Sequence, residues 1–326
     1  MFDVTAAGEL LIDFTPAGFS GQNHALYEQN PGGAPANVLA CLTKLGHPTA
    51  FIGKVGNDQF GRSLKLTLDQ AGINTRGLIM TDACHTTLAF VHLNSQGDRS
   101  FSFYRNPGAD LLLEAGEIDT SLIDASRIFH YGSVSLSDEP ARSATLAAAQ
   151  RAREAGCLIS FDPNLRLMLW SSEALVKSVV MAAIPGTDVL KLSDDELKFL
   201  TGESDPSRGA GLLINRFSLK LVLITMGRRG AFASNGKAQA IRPAYDVRTI
   251  DTTGAGDAFA GAFLDQILLN DLNLDRLNQN DLARMLDFAN AAGSLATTRK
   301  GAIPAMPARA EILHCLQKVP PLNINS

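Results

Sequence analysis

Cysteine is scarce in this chain, and neither sign of charge dominates it. Cys41, Cys84, Cys157 and Cys315 are the four cysteines among 326 residues, and none stands at ligand spacing from another. That excludes a disulfide framework and predicts reduced, mostly buried thiols in a cytoplasmic protein. A net charge of −4 leaves no basic footprint for nucleic acid or an anionic membrane. No apolar run approaches the roughly 20 residues needed to span a bilayer. Residues 1–14 lack a basic start and include Asp3, Glu9 and Asp13, which argues against a secretory leader. The six histidines show no metal spacing. Two nucleotide signatures are missing as well. The stretch from Gly230 to Gly236-Lys237 has the wrong glycine spacing for a P-loop and continues into Ala238. No G-x-G-x-x-G follows the first strand, and Gly254-x-Gly256 has Phe259 where the third glycine would stand, so a nicotinamide dehydrogenase is disfavoured.

What the chain does have is a regular alternation of strand-like and helix-like segments, with 45% hydrophobic residues to fill a core. Residues 2–12 read as one apolar strand with Asp13 at its carboxyl end, where open α/β sheets place ligands. Residues 15–31 read as an irregular or short-stranded excursion. A helix follows Pro35, carries Val38, Cys41, Leu42 and Leu45, and stops at Gly46. Further strands are expected at 49–56, 127–132, 157–161, 188–191 and 219–225. Helices are expected at 59–71, 139–155, 172–184, 194–201, 207–215, 281–299 and 308–317. Two hairpins are expected, one over 86–105 turning at Ser95-Gln96-Gly97-Asp98, the other turning at Asn235-Gly236. The expected fold class is α/β: a single domain over 1–326, its mostly parallel sheet covered by helices on both faces. A small β lid, from segments at about 14–31 and 86–107, is added to it.

One stretch organises the functional reading. Asp251-Thr252-Thr253-Gly254-Ala255-Gly256-Asp257 opens an apolar helix. Gly254, Ala255 and Gly256 let backbone amides face a ligand, and amides at a helix N-terminus bind anions. Asp257 adds a carboxylate in the first turn, which suits transfer of a phosphoryl group to a hydroxyl. A first-turn carboxylate is expected to keep a pKa near or below about 3.9. The plainer alternative is a glycine turn with an acid that complements the helix dipole.

Other residues fit the same chemistry. Gly32-Gly33 allows close backbone approach, and Asn37 lies about one turn into the next helix; with Asp13 they can grip vicinal hydroxyls, although Asn37 also suits a capped helix start. Arg105 and Asp110, at the exit of the lid hairpin, are placed to reach a polar substrate. Arg166, Lys191, Glu196, Thr225, Gly227 and Gly230 all follow strands at the expected active edge. Ser193 and Glu196 also form a capping-box pattern. Asn290 and Ser294 lie one turn apart on one helix face.

These residues resemble the ribokinase-like (PfkB) carbohydrate kinases over nearly the whole length. The two signatures read here as Gly32-Gly33-Ala34-Pro35-Ala36-Asn37 and Asp251-Thr252-Thr253-Gly254-Ala255-Gly256-Asp257. Within the family the chain looks most like a fructokinase. It is so through the segments Gly8-Glu9-Leu10-Leu11-Ile12-Asp13-Phe14, Phe103-Tyr104-Arg105-Asn106-Pro107-Gly108-Ala109-Asp110 and Lys191-Leu192-Ser193-Asp194-Asp195-Glu196-Leu197. The resemblance implies an ATP-dependent sugar kinase acting on the 6-hydroxyl of fructose. Asp257 would be the base, Gly254 to Gly256 the anion hole, and Arg166 a phosphate contact. Asp13, Gly33, Asn37 and Arg105 would hold the sugar. ATP would lie along Lys191, Thr225, Gly227, Gly230, Gly256, Asn290 and Ser294, with Glu196 supporting Mg²⁺ through water. A K⁺ site is implied at Asp251, Thr253, Ala296, Arg299, Gly301 and Ala305. Ser193 departs from the usual asparagine and Ala305 from the usual serine. The alternatives are a sibling kinase for 2-keto-3-deoxygluconate, a ribonucleoside or ribose, and a non-catalytic sugar-binding homologue. The aromatic lid suggests a homodimer.

Overall fold

Residues 158–161, 189–192 and 221–224 bury side chains on both faces, as strands inside a helix-covered parallel sheet must. The computed structural model describes residues 1–93 and 99–323, so the expected turn at 95–98 lies outside the described residues. The chain begins with β1 (Phe2–Ala7), β2 (Leu11–Phe19), β3 (Ala25–Gly32), α1 (Ala34–Lys44), β4 (Thr49–Gly56) and α2 (Gln59–Gln70). Next come β5 (Asn74–Thr81), β6 (Leu88–Leu93), β7 (Arg99–Tyr104), α3 (Thr120–Asp124), β8 (Ser126–Tyr131), α4 (Ala141–Glu154) and β9 (Leu158–Phe161). Then α5 (Glu173–Ala183), β10 (Val189–Ser193), α6 (Asp194–Thr201), α7 (Pro206–Phe217), β11 (Leu221–Thr225), β12 (Ala231–Ser234) and β13 (Gln239–Arg242) follow. The last helices are α8 (Ala255–Leu269), α9 (Gln279–Ala296) and α10 (Arg309–Lys318).

Among the described residues nine strands form the main sheet in the order β13-β12-β11-β10-β9-β8-β1-β4-β5, parallel from β11 to β5. Only the β11–β12 and β12–β13 pairings are antiparallel. One face packs Val4, Phe51, Ile128 and Leu221 against α1, α8, α9 and α10. The other packs Phe129, Phe161, Leu190 and Ile224 against α4, α5, α6 and α7. A second sheet, β3-β2-β6-β7, forms the lid. Phe14 stacks on Phe90 with ring centroids 4.8 Å apart, and Tyr27 and Tyr104 close on Phe90 edge-on.

Two expectations change, and one strand had no sequence counterpart. Residues 2–12 are two strands in different sheets, because Gly8, with φ 156°, breaks the run and carries the chain out of the body. Asp13 therefore lies in the lid strand β2, not at the end of a core strand. Residues 15–31 are mostly regular: β2 pairs antiparallel with β3 from Leu11↔Gly32 onward. Strand β5, at the edge of the main sheet, carries Asn74, Thr75, Arg76 and Gly77 in its first half, so alternation alone gave no strand signal there.

Candidate active site

The carboxyl edge of the sheet and the underside of the lid enclose a cavity of about 310 Å³. From the lid, β2 supplies Leu11, Asp13 and Thr15 on one face, as the two-residue period of a strand requires, and Phe103 joins them from β7. The body supplies Glu9, Gly33, Asn37, Asn164, Arg166, Lys191, Gly254, Gly256 and Asp257. A second cavity of about 290 Å³ adjoins it, lined by Thr225, Gly227, Gly230, Tyr245, Phe259, Asn290 and Ser294. Thr252 and Gly256 line both. The glycine turn is thus a wall between a polar cleft and a more apolar one.

Gly254 is the N-cap of α8 with φ 76°, a left-handed conformation that suits glycine. An added Cβ there would stand 2.8 Å from Ala302 Cβ. The first amide bonded back into the helix is Ala258 N to Gly254 O, at 2.8 Å. The amides of Gly256 and Asp257 precede it and have no intrahelical carbonyl, so they are open to an anion. Asp257 is buried at the junction and accepts from Asn37 Nδ2 at 2.7 Å. Pro35 sits in the first turn of α1, and Asn37 two residues on meets Asp257 of α8.

Burial raises the Asp257 carboxyl to about 6, against the stabilising Asn37 bond and the Lys191 and Arg166 charges. Loss of solvent moves it in the opposite direction from the low value expected of a first-turn carboxylate. Asp13 is likewise raised to about 6, by burial first, then by Asp251 and Asp257, while Arg166 opposes. Glu9 rises to about 7 through burial. Its Oε1 accepts from Ala34 N at 2.9 Å and so holds the Gly33 turn. Lys191 is pulled down by burial, but Asp162, Glu196 and Asp257 around it keep it above the ordinary lysine value.

The proposed site residues divide into three groups. Asp13, Gly33, Asn37, Arg166, Lys191, Gly254, Gly256 and Asp257 gather around the first cavity, and Ala255 with Thr225, Gly227, Gly230, Asn290 and Ser294 around the second. Asn290 and Ser294 also act as props: Asn290 Nδ2 donates to Arg242 O at 2.9 Å, and Ser294 Oγ accepts from Tyr245 N at 3.0 Å. Gly32, Arg105 and Asp110 do not line either cavity. Gly32 backs Asp13, since a Cβ there would lie 2.3 Å from Asp13 Oδ2. Arg105 and Asp110 were expected to reach substrate, but they pair with each other in a buried, two-pronged contact of 2.7 and 2.9 Å beneath the lid. Thr87 Oγ1 donates to Asp110 at 2.5 Å and Arg105 donates to Ser137 Oγ at 2.8 Å. These bonds tie the chain after β7 to Thr87 and to the segment at 134–137.

The ion sites can be tested on the donor sets. Glu196 accepts from Leu165 N at 2.6 Å and from Ser193 N at 2.7 Å, completing the capping box of α6. Each oxygen keeps a lone pair, which fits a metal-bound water better than direct ligation. Asp251 accepts from Thr253 N and Oγ1 at 3.0 and 2.7 Å and from Gly301 N at 3.1 Å, tying three of the K⁺ positions together. Ala296 precedes Thr297, whose carbonyl accepts from Asp251 N at 3.1 Å. Arg299 pairs with Glu311, and Ala305 N bonds to Ala302 O. Among the described residues no cluster of three His, Cys, Asp or Glu side chains is placed to hold a metal. Glu9, Asn164 and Thr252 were missed as cavity residues. The signal for Asn164 is a non-glycine φ of 47°, invisible in sequence.

The model of the pfkB family of carbohydrate kinases matches residues 1–309, and the chain belongs to that family. It is 42% identical to fructokinase-1 of Zea mays over 317 residues, covering 97% of this chain and 98% of that protein. Among solved structures, fructokinase with bound ATP from Xylella fastidiosa superposes with a TM-score of 0.90 at 32% identity, covering 98% and 99% of the two chains. A fructokinase double mutant from Vibrio cholerae O395, in a fructose-, ADP- and potassium-bound form, superposes with a TM-score of 0.85 at 36% identity, covering 97% and 98%.

Proposed function

We propose that the protein is an ATP-dependent fructokinase that transfers the γ-phosphate of ATP to the 6-hydroxyl of fructose. The observation that carries this reading is the position of Asp257 and the Gly254–Gly256 turn where the polar and apolar clefts meet. Fructose occupies the polar cleft, held by Asp13, Asn37 and the Gly33 backbone. ATP occupies the cleft beside Thr225, Gly227, Gly230, Asn290 and Ser294. Asp257 accepts the hydroxyl proton late, because a loose phosphoryl-transfer transition state needs little base strength. Gly256 and Asp257 amides, Lys191 and Arg166 take up negative charge on the transferred group. Glu196 would support Mg²⁺ through water, which would supply neutralisation of phosphate charge, and the backbone near Asp251 would hold K⁺. Kinship with fructokinases solved with ATP, and with fructose, ADP and potassium, supports these assignments. The reduced, unpaired cysteines favour the cytoplasm. The half-exposed Tyr27 and exposed Phe19 and Tyr104 of the lid favour a homodimer through that sheet, which light scattering would register as doubled mass.

The test is ATP consumption with fructose, ribose, 2-keto-3-deoxygluconate and a ribonucleoside, with and without K⁺. Highest kcat/KM with fructose supports the reading. A higher value with another acceptor reassigns the substrate, and sugar binding without turnover refutes catalysis.

A further inference from the structure

Strands β9 and β10 run parallel with Leu190 opposite Phe161. Continuing that register brings Asp162 and Lys191 off the sheet side by side at its carboxyl edge. Lys191 Nζ lies 2.8 Å from Asp162 Oδ2, with the two side chains 10% and 3% exposed. Neither Asp162 oxygen accepts a hydrogen bond from any other described group. A buried ion pair of this kind is a weak source of stability, because an apolar pair of like volume does as well. Its position is informative, however. A Cβ on Gly256 would stand 3.3 Å from Lys191 Nζ, so the ammonium lies against the wall the two clefts share.

We propose that Asp162 is a positioning residue for phosphoryl transfer: it holds the Lys191 ammonium against the Gly256 wall, where the transferred group crosses between the clefts. This rests on the kinase reading above. An ammonium has three donors, and Asp162 engages one direction, leaving the others for phosphate oxygens. The surrounding charges are consistent with one partner. Lys191 is also faced by Glu196 and Asp257, and by His130, which burial beside Lys191 lowers to about 3 and so keeps neutral. Glu196 is committed to the amides of Leu165 and Ser193. Asp257 is faced by Asn37, Asp162, Lys191 and Arg166, and Asp13 lies within its field.

The test is a double-mutant cycle of Asp162→Asn and Lys191→Met, read by kcat, fructose KM and calorimetric titration with a non-hydrolysable ATP analogue. Asp162→Asn is expected to lower kcat by about 10²-fold, the scale of one lost charge-stabilising donor. Fructose KM should stay within about two-fold, while analogue affinity falls. Added to Lys191→Met, it should change kcat by less than about two-fold, because its effect passes through the lysine. Independent, multiplying effects on kcat, or an unchanged analogue affinity, would overturn the proposal. Asp162→Glu keeps the charge but shifts it by one methylene, and covers the case in which the asparagine variant does not fold. Lowered kcat with an unchanged melting temperature supports positioning, and full kcat overturns it. Wild-type turnover with fructose tests the kinase reading separately.

Discussion

Asp257 is held where solvent cannot stabilise its charge. Raising it from 3.8 to about 6 corresponds to about 2–3 kcal/mol of opposition to folding in the ionised form. The folded value lies above the unfolded one, so this opposition is fully present above about pH 6 and is relieved as the pH falls toward the ordinary carboxylate range. Asp257→Asn should therefore raise the melting temperature by a few degrees at about pH 8, and the gain should vanish near about pH 4. The same variant should lose about 10²–10⁴ in kcat. Differential scanning calorimetry and steady-state kinetics check both parts. Wild-type activity should fall as pH drops through about 6, where Asp257 and Asp13 both gain protons. Asp13, Asn37 and Asp257, which the sequence picks out beside glycine turns and an expected strand end, do meet in one cavity, but Asp13 enters it from the lid strand β2. The pKa of Asp257 was not legible, since it follows from burial by α1, which lies some 220 residues away in sequence.

At the scale of elements, the geometry of α8 sets the chemistry at its N-terminus. Gly254→Ala would add a Cβ in a left-handed conformation against Ala302. It should lower kcat by about 10²–10³, the cost of displacing an anion-hole donor, with little change in fructose KM. About three turns along, α8 is tied down by Asp265, which His47 Nε2 meets at 2.8 Å while His47 Nδ1 meets Asp3 at 2.7 Å. Hydrogen bonding to Asp265, with that to Asp3, outweighs burial and raises the His47 pKa. The folded value exceeds the unfolded one, so this contribution is complete below about 6.5 and is lost as pH rises through the raised value. His47→Gln should destabilise by about 1–2 kcal/mol at about pH 6, and by less at about pH 9, in urea unfolding. The strand and helix order was legible from apolar periodicity. The break at Gly8 was not, because the apolar pattern continues through Leu10, Leu11 and Ile12 while the chain changes sheets.

At the scale of the whole molecule, the two clefts share a wall and the lid covers one of them. The contacts of Arg105 with Val134 and Ser137 were not legible, because those partners belong to another part of the chain. Clefts that share Thr252 and Gly256 should communicate. Fructose and ADP together should raise the melting temperature by more than the sum of their separate effects, each ligand at about 100 times its Kd giving about 2.7 kcal/mol alone. Strict additivity would mean that the wall does not couple them.

The most direct test is a crystal structure with fructose and a non-hydrolysable ATP analogue bound together. The terminal phosphate should lie against the Gly256 and Asp257 amides, with the fructose 6-hydroxyl at about 2.6–3.2 Å from the Asp257 carboxylate. A carboxylate turned away from both ligands, or a phosphate bound elsewhere, would contradict the account.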